Sequence, residues 1–191
     1  MAIEDISYIN ITSQLEYHSK RIANFIDNLW LEREFFNITI ERVMHSVLVV
    51  LALHNEEIIG ITGYEKKWGI IRTYVVVKNE YQGMRIAENL FKERMRLTFG
   101  LKCNLIMAVV EKGNIKSVNN CISRGYRLGG ERWGKLKYFF IVLNFKGYLE
   151  YLMIKSLYPL LKLIDSFRLI RNSRSYLVWS FALLILNIFL G

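Results

Sequence analysis

Val77-Lys78-Asn79-Glu80-Tyr81-Gln82-Gly83-Met84-Arg85-Ile86-Ala87, running straight into Glu88-Asn89-Leu90-Phe91, decides how this chain is read. An apolar, β-branched run from Ile70 to Val77 stops at a short polar turn, and a helical pattern begins just beyond Gly83. That order leaves several main-chain N–H groups unpaired at a helix start, where the macrodipole also favours negative charge. Such a terminus is a ready seat for phosphate. The strand, turn and helix therefore mark the first candidate ligand site.

A second element lies downstream. Asn104-Leu105-Ile106-Met107-Ala108-Val109-Val110 reads as a buried strand. Asn114-Ile115-Lys116-Ser117-Val118-Asn119-Asn120-Cys121-Ile122-Ser123-Arg124-Gly125-Tyr126 reads as the helix that follows it. The first segment resembles the acetyl-CoA pyrophosphate loop of the GNAT N-acetyltransferase superfamily, Gln/Arg-x-x-Gly-x-Gly/Ala after an apolar strand. Gln82 opens the match, Ala87 closes it, and Arg85 stands where the family has its middle glycine. The second segment is similar to the family's Asn-x-x-Ala/Ser helix ending in Gly-Phe/Tyr. The resemblance covers roughly residues 5 to 145. It implies an α/β fold, a GNAT-like mixed central sheet flanked by helices, with a C-terminal helical apolar extension beyond it.

Periodicity outlines the same order of elements. Ile6 to Ile11 is a candidate strand, and Gln14 to Trp30 carries Leu15, Ile22, Phe25, Ile26 and Leu29 at helical spacing. Phe36 to Met44 reads as a second, short helix. Val47 to Leu53 is almost wholly apolar, as a strand buried on both faces would be. His54-Asn55-Glu56-Glu57 reads as a hairpin turn with Ile58 to Tyr64 as the return strand. Gly69 separates that strand from the one ending at Val77. The helix after the loop is expected to reach about Phe99, stopped by Gly100. Tyr126 to Trp133 and Tyr138 to Phe145 then close the sheet. The expected order is β-α-α-β-β-β-α-β-α-β-β.

With 191 residues, 52% of them apolar, and a single proline, the chain is expected to fold as one domain plus an appendage. Residues 1–145 form the GNAT-like acetyltransferase domain of this reading, and residues 146–191 a tail. The net charge of +9 invites nucleic acid or an anionic membrane as partner. The basic residues are spread out, however, and no basic reader helix, RNA-binding aromatic signature or zinc spacing accompanies them. Nucleic acid is therefore not an expected partner. Cys103 and Cys121 make no C-x-x-C pair, and His18, His45 and His54 make no H-E-x-x-H, so no metal is expected. A reduced, cytoplasmic setting fits, and the acidic start Met-Ala-Ile-Glu-Asp lacks the apolar run of a signal peptide.

After Phe145 the composition shifts. Leu149, Met153, Leu157, Leu160, Ile164 and Phe167 recur at helical spacing, while Glu150, Lys155, Lys162, Asp165 and Arg168 gather on the other side. A kink or restart is expected at Pro159. Arg168, Arg171 and Arg174 precede Tyr176 to Leu190, fifteen residues without a charge. As a helix these span about 22 Å, short of the roughly 30 Å hydrocarbon core of a bilayer. The expectation is a peripheral or tail-inserted attachment to the inner membrane face, its arginines beside anionic lipid. The alternative reading packs the tail on the domain or into a homodimer interface.

The resemblance also assigns roles. The loop residues Gln82, Gly83, Met84, Arg85, Ile86 and Ala87 would hold the pyrophosphate of acetyl-CoA, used as a cosubstrate. Main-chain N–H groups of Val75 and Val77 would face the thioester, and Asn114 would sit on the cofactor side at the start of its helix. The family often has a tyrosine seven residues after that asparagine as general acid; the matching residue here is Cys121, a thiol able to protonate a departing thiolate of similar basicity. Tyr126 and Tyr138 are the fallback donors. For the general base, Glu111 and Glu65 are the nearest carboxylates, Val109 standing where the family sometimes has glutamate. The implied activity is N-acetylation of a primary amine, on a small molecule or a protein, at the cytosolic membrane face. The competing reading is a catalytically degenerate GNAT-like module attached to the membrane, for which Arg85 and the missing tyrosine speak.

Overall fold

A computed structural model describes residues 6–32, 38–67, 70–132 and 135–166 of the chain. The elements follow the expected order. β1 (Ile6–Asn10), α1 (Leu15–Glu32), α2 (Ile40–Met44), β2 (Ser46–His54), β3 (Glu57–Lys67) and β4 (Ile70–Val77) come first. α3 (Ile86–Thr98), β5 (Leu105–Glu111), α4 (Ile115–Ser123), β6 (Arg127–Arg132), β7 (Leu136–Val142) and α5 (Phe145–Ser166) complete the chain. The seven strands form one mixed sheet in the order β1-β2-β3-β4-β5-β7-β6, flanked by helices. The chain divides into two compact units, 1–66 with 73–102, and 67–72 with 103–191.

In the first unit the apolar run of β2 is buried on both faces, as its composition demands. Val49 and Leu51 pack with Ile22, Phe25, Ile26 and Leu29 of α1 and with Ile61, Tyr74 and Val76. Val50 and Ala52 turn the other way, onto Ile59, Val77, Ile86 and Leu90. The period of two along the strand and of 3.6 along α1 and α3 make both cores possible. The β2–β3 hairpin closes through Asn55 (φ 48°) and Glu56 (φ 64°), the two left-handed residues that match a tight turn to the twist of its strands. Of the expected helix from Phe36, residues 36 and 37 lie outside the described residues, and the helix begins at Ile40 behind a Thr39 N-cap.

One buried polar group of α1 has no hydrogen-bond partner among the described residues. His18 is only 6% exposed, its Nδ1 is unsatisfied, and burial, with Arg21 as a lesser cause, holds its pKa below the usual value. The folded protein therefore binds fewer protons at this site than the unfolded chain does. Stability is full above the unfolded value and declines as pH drops through the window beneath it, from about 6.5 downward. Urea denaturation of His18→Leu should show a flatter pH profile than the parent over that window. An unaltered slope would clear His18 of the effect.

The second unit is built on antiparallel pairing of β5 with β7, from Leu105↔Val142 to Glu111↔Leu136. β6 lies on the far side of β7, while the start of β4 pairs in parallel with β5 at Ile71↔Ile106 and Arg72↔Met107. β7 ends at Val142, earlier than the strand expected to reach Phe145. The reason is Asn144, whose Oδ1 accepts the Gly147 N–H at 2.8 Å and whose carbonyl accepts the Tyr148 N–H, starting α5. Gly147 is needed there, since a Cβ would collide with the Asn104 carbonyl.

α5 continues through Pro159 as one element. Its core-facing residues are Gly147, Tyr151 and Ile154, not the Leu149, Met153 and Leu157 stripe expected from spacing, which is only partly buried. Tyr151 and Ile154 pack with Met107, Tyr138 and Phe140, and Tyr151 Oη donates to the Leu128 carbonyl at 3.0 Å. That leaves Phe145, Tyr148 and Leu152 exposed on the outer side. Residues 167–191, including the three arginines and the uncharged run, lie outside the described residues.

Candidate active site

The strand that feeds the loop sets its amides by alternation. The Lys78 N–H donates to the Ile59 carbonyl of β3 at 2.9 Å. N–H groups two residues apart on a strand point the same way, so those of Val77 and Val75 point away from β3. Their side chains differ in surroundings: Val77 is buried against α3, whereas Val75 is 39% exposed.

Beyond Val77 a single 3₁₀ turn, Asn79–Tyr81, brings the chain round. It is anchored by the buried Tyr81, whose Oη lies 3.0 Å from His54 Nδ1, and by an ion pair of Lys78 with Glu57. Gln82 braces the turn twice, its N–H donating to the Asn79 carbonyl and its Nε2 to Asn79 Oδ1 at 2.7 Å. The opening residue of the motif therefore spends its own amide inside the turn.

The next five residues leave their amides open. Gly83 (φ 89°) and Arg85 (φ 58°) are left-handed, and Arg85 is the residue directly before the first turn of α3. Among the described residues the N–H groups of Gly83, Met84, Arg85, Ile86 and Ala87 have no partner, whereas those of Glu88 and Asn89 return to the Arg85 carbonyl. Open amides next to left-handed residues suit an anion, and the N-terminal dipole of α3 adds to it. The left-handed φ also explains why glycine suits position 85: a side chain there costs roughly 1 kcal/mol or more. The arginine is exposed and makes no ion pair among the described residues. Glu88 supplies the only acid of the first turn of α3 and pairs with Lys92 at 2.7 Å.

In the second unit Glu111 ends β5 with its side chain exposed. Three residues on, Asn114 caps α4, its Oδ1 accepting the Ser117 N–H at 3.0 Å. Such a cap is worth about 1 kcal/mol. Cys121 sits half-buried near the end of α4, and its carbonyl accepts the N–H groups of Arg124 and Tyr126 as the helix closes at the left-handed Gly125. Burial pushes the other thiol, Cys103, above its usual pKa, which makes it a poorer nucleophile. Tyr126 and Tyr138 are buried.

The structure thus places Val75, Val77 and Gln82–Ala87 on one continuous strand, turn and helix in the first unit, and Glu111, Asn114 and Cys121 on a strand and helix in the second. Glu65 Oε2 accepts from Arg42 Nε at 2.9 Å in a part-buried ion pair, so a base here would act from within that pair. The Arg42 guanidinium also lies 5.1 Å from the centroid of the Tyr74 ring. The Tyr74 hydroxyl, 2.9 Å from Ser46 Oγ, is pushed up to about 12 mainly by burial. No cluster of three metal-ligating side chains occurs among the described residues.

Sequence reading missed Arg94. It is 2% exposed on α3, and its Nη1 donates to Thr62 Oγ1 at 2.6 Å and to the Tyr74 carbonyl at 3.1 Å. The signal was present, since Arg94 continues the buried series Ile86, Leu90 at intervals of four.

Comparison with solved structures finds the same fold in many proteins. An acetyltransferase of the GNAT family from Streptococcus pneumoniae superposes with a TM-score of 0.59 at 14% identity, over 72% of this chain and 100% of its own. A Salmonella typhimurium protein, yncA, solved with its cofactor acetyl-CoA, gives 0.59 at 12% identity, over 74% of this chain and 95% of its own. One from Staphylococcus aureus Mu50 gives 0.58 at 14%, over 73% and 99%. Comparison with curated proteins returned no match. The model of the acetyltransferase (GNAT) family matches residues 12–126, from the end of β1 to the turn after α4, and the chain belongs to that family.

Proposed function

We propose that the protein transfers the acetyl group of acetyl-CoA to a primary amine. The observation that carries the reading is the set of five successive N–H groups, Gly83 to Ala87, left open where β4 turns into α3. A diphosphate needs several converging donors at a positive helix end, and these supply them. The Salmonella relative was solved with acetyl-CoA. In the reaction the amine nitrogen attacks the thioester carbonyl, the C–S bond breaks, the amine loses a proton and the thiolate gains one. Val75 and Val77 N–H groups stabilise the oxygen as it gains charge, a contribution of a few kcal/mol for one well-placed donor. For the two proton transfers the sequence offers Glu111 as the acceptor of the amine proton and Cys121 as the donor to the thiolate.

Calorimetric titration with acetyl-CoA is the direct test. Micromolar binding supports an enzyme, and the absence of binding would leave a degenerate binding module. For the proton donor, Cys121→Ser should lower turnover and Cys121→Tyr restore most of it. A parent-like rate for Cys121→Ala would remove the thiol from the mechanism.

The acceptor is reached, in this proposal, at the cytosolic membrane face. Support comes from the exposed Phe145, Tyr148 and Leu152 of α5 beside the exposed Lys146 and Lys155, and from the arginines and uncharged run that come after them in sequence. No helix among the described residues is long and apolar enough to cross a membrane. Because α5 buries Tyr151 and Ile154, truncation belongs after Ser166, where it spares that core. The shortened protein should leave the membrane fraction; continued sedimentation would assign the attachment to the exposed face of α5 instead of residues 167–191, and a full-length protein found in the soluble fraction would overturn it.

A further inference from the structure

Arg94 is a full cation on the core-facing side of α3, held between two rings with its guanidinium 5.1 Å from the Tyr64 centroid and 5.5 Å from that of Phe91. Burying a charge is costly unless strong hydrogen bonds compensate. One of its acceptors is a main-chain oxygen, the carbonyl of Tyr74. The same oxygen accepts a 2.6 Å hydrogen bond from Thr62 Oγ1, itself an acceptor from Arg94. Two residues, from α3 and β3, thus converge on one peptide group in the middle of β4.

That peptide joins Tyr74 to Val75. It is trans, so its N–H, belonging to Val75, points opposite to the carbonyl that Arg94 and Thr62 hold. We propose that Arg94 is a positioning residue for acetyl transfer, acting through this peptide. The proposal rests on the acetyl-CoA reading above, in which the Val75 N–H faces the thioester. Arg94 acts there in two ways. A charge-assisted donor on the carbonyl polarises the amide, because hydrogen bonds in a chain strengthen one another. The bond also ties α3, whose start carries the open amides, to the strand that presents Val75. A single side chain sets the diphosphate seat and the thioester donor against each other, all within the first unit.

The test uses the full-length protein and acetyl-CoA labelled with carbon-13 at its carbonyl. Isotope-edited infrared spectroscopy reads the bound thioester stretch, and calorimetry gives Kd. In the parent the bound band should lie below that of free ligand. In Arg94→Met it should move back toward the free position while Kd changes by no more than about threefold, since five amides continue to hold the diphosphate. Acetyl transfer should fall by about tenfold, a fraction of the loss seen when such a donor is removed outright. Thr62→Val keeps Arg94 and removes one of the two donors, so it should give a smaller shift of the same sign. It also decides the matter should Arg94→Met fail to fold. Variants that bind acetyl-CoA with an unmoved band would overturn the proposal. If the parent binds no acetyl-CoA, the functional reading fails, and the Val75 amide proton resonance of the free protein becomes the readout. An upfield move in both variants supports the brace, and a resonance that stays in place rejects it.

Discussion

Ala87→Glu is expected to weaken acetyl-CoA binding by about two orders of magnitude while leaving the fold intact. Ala87 is the second residue of α3 and one of the five with an open N–H. A carboxylate here sits close to any diphosphate on those amides. Two like charges about 5 Å apart near a protein surface repel by about 3 kcal/mol, which is more than a hundredfold in Kd. The same helix end that favours phosphate favours this carboxylate, so the thermal midpoint should hold or rise slightly. Ala87→Gln, of the same shape without charge, should cost only a few-fold. The companion variant is Arg85→Gly. It removes a side chain from a left-handed position and should stabilise the protein by roughly 1 kcal/mol. Its effect on acetyl-CoA affinity measures what the guanidinium contributes to the phosphates. An Ala87→Glu protein that binds like the parent would take the diphosphate off these amides altogether.

Much of this site could be read before any coordinates. An apolar strand, a turn with Gly83 and an immediate helix leave open amides by covalent necessity, because the first N–H groups of a helix have no partner within it. Which amides stay open is a different matter. Gln82, the first residue of the motif, donates its N–H to Asn79, a fact set by the local turn and invisible in the pattern. Arg85 looked like a departure from the motif, yet it takes the left-handed conformation a glycine would take. The motif constrains the backbone, and a costly residue can still satisfy it.

The helices show the same division. Apolar spacing found α1 correctly because its partners are simple sheet faces. In α5 a leucine-rich stripe was the obvious core, but the helix buries a glycine and the aromatic body of Tyr151, whose hydroxyl finds the Leu128 carbonyl. An amphipathic count ranks leucine above glycine and tyrosine, and close approach to Asn104 reverses that order. Arg94 is the clearest case. Placed on the stripe of Ile86 and Leu90, it would be scored as a solvated charge, and the oxygens of Thr62 and Tyr74 are among the partners that make its burial sensible.

Gly63→Ala is expected to be among the most damaging single-methyl changes in the described part of the protein. Gly63 lies on β3, and a Cβ there would overlap the Tyr74 hydroxyl and come within 2.5 Å of the Leu48 carbonyl oxygen. A flexible side chain can move aside, but the Leu48 oxygen is main chain, on β2 just after a register shift between Ser46 and Leu48 and paired with Tyr64. Overpacking of this kind costs typically 1–3 kcal/mol and sometimes more. The upper end applies, at about 3 kcal/mol, because the displaced ring also loses its bond to Ser46 and its place under Arg42. Tyr74→Phe provides the control. Removing the hydroxyl relieves one overlap, yet the ring carbon Cζ at 2.7 Å and the Leu48 oxygen remain. The double variant should therefore recover only part of the loss, and a double-mutant cycle in urea should return a coupling of about 1 kcal/mol. Close packing at this point also sets the path of β4 just before Val75, so acetyl transfer should fall in Gly63→Ala at temperatures where it is still folded. Should Gly63→Ala unfold within 1 kcal/mol of the parent, roughly the centre of the range for ordinary substitutions, the close approach of Tyr74 to β3 would be wrong.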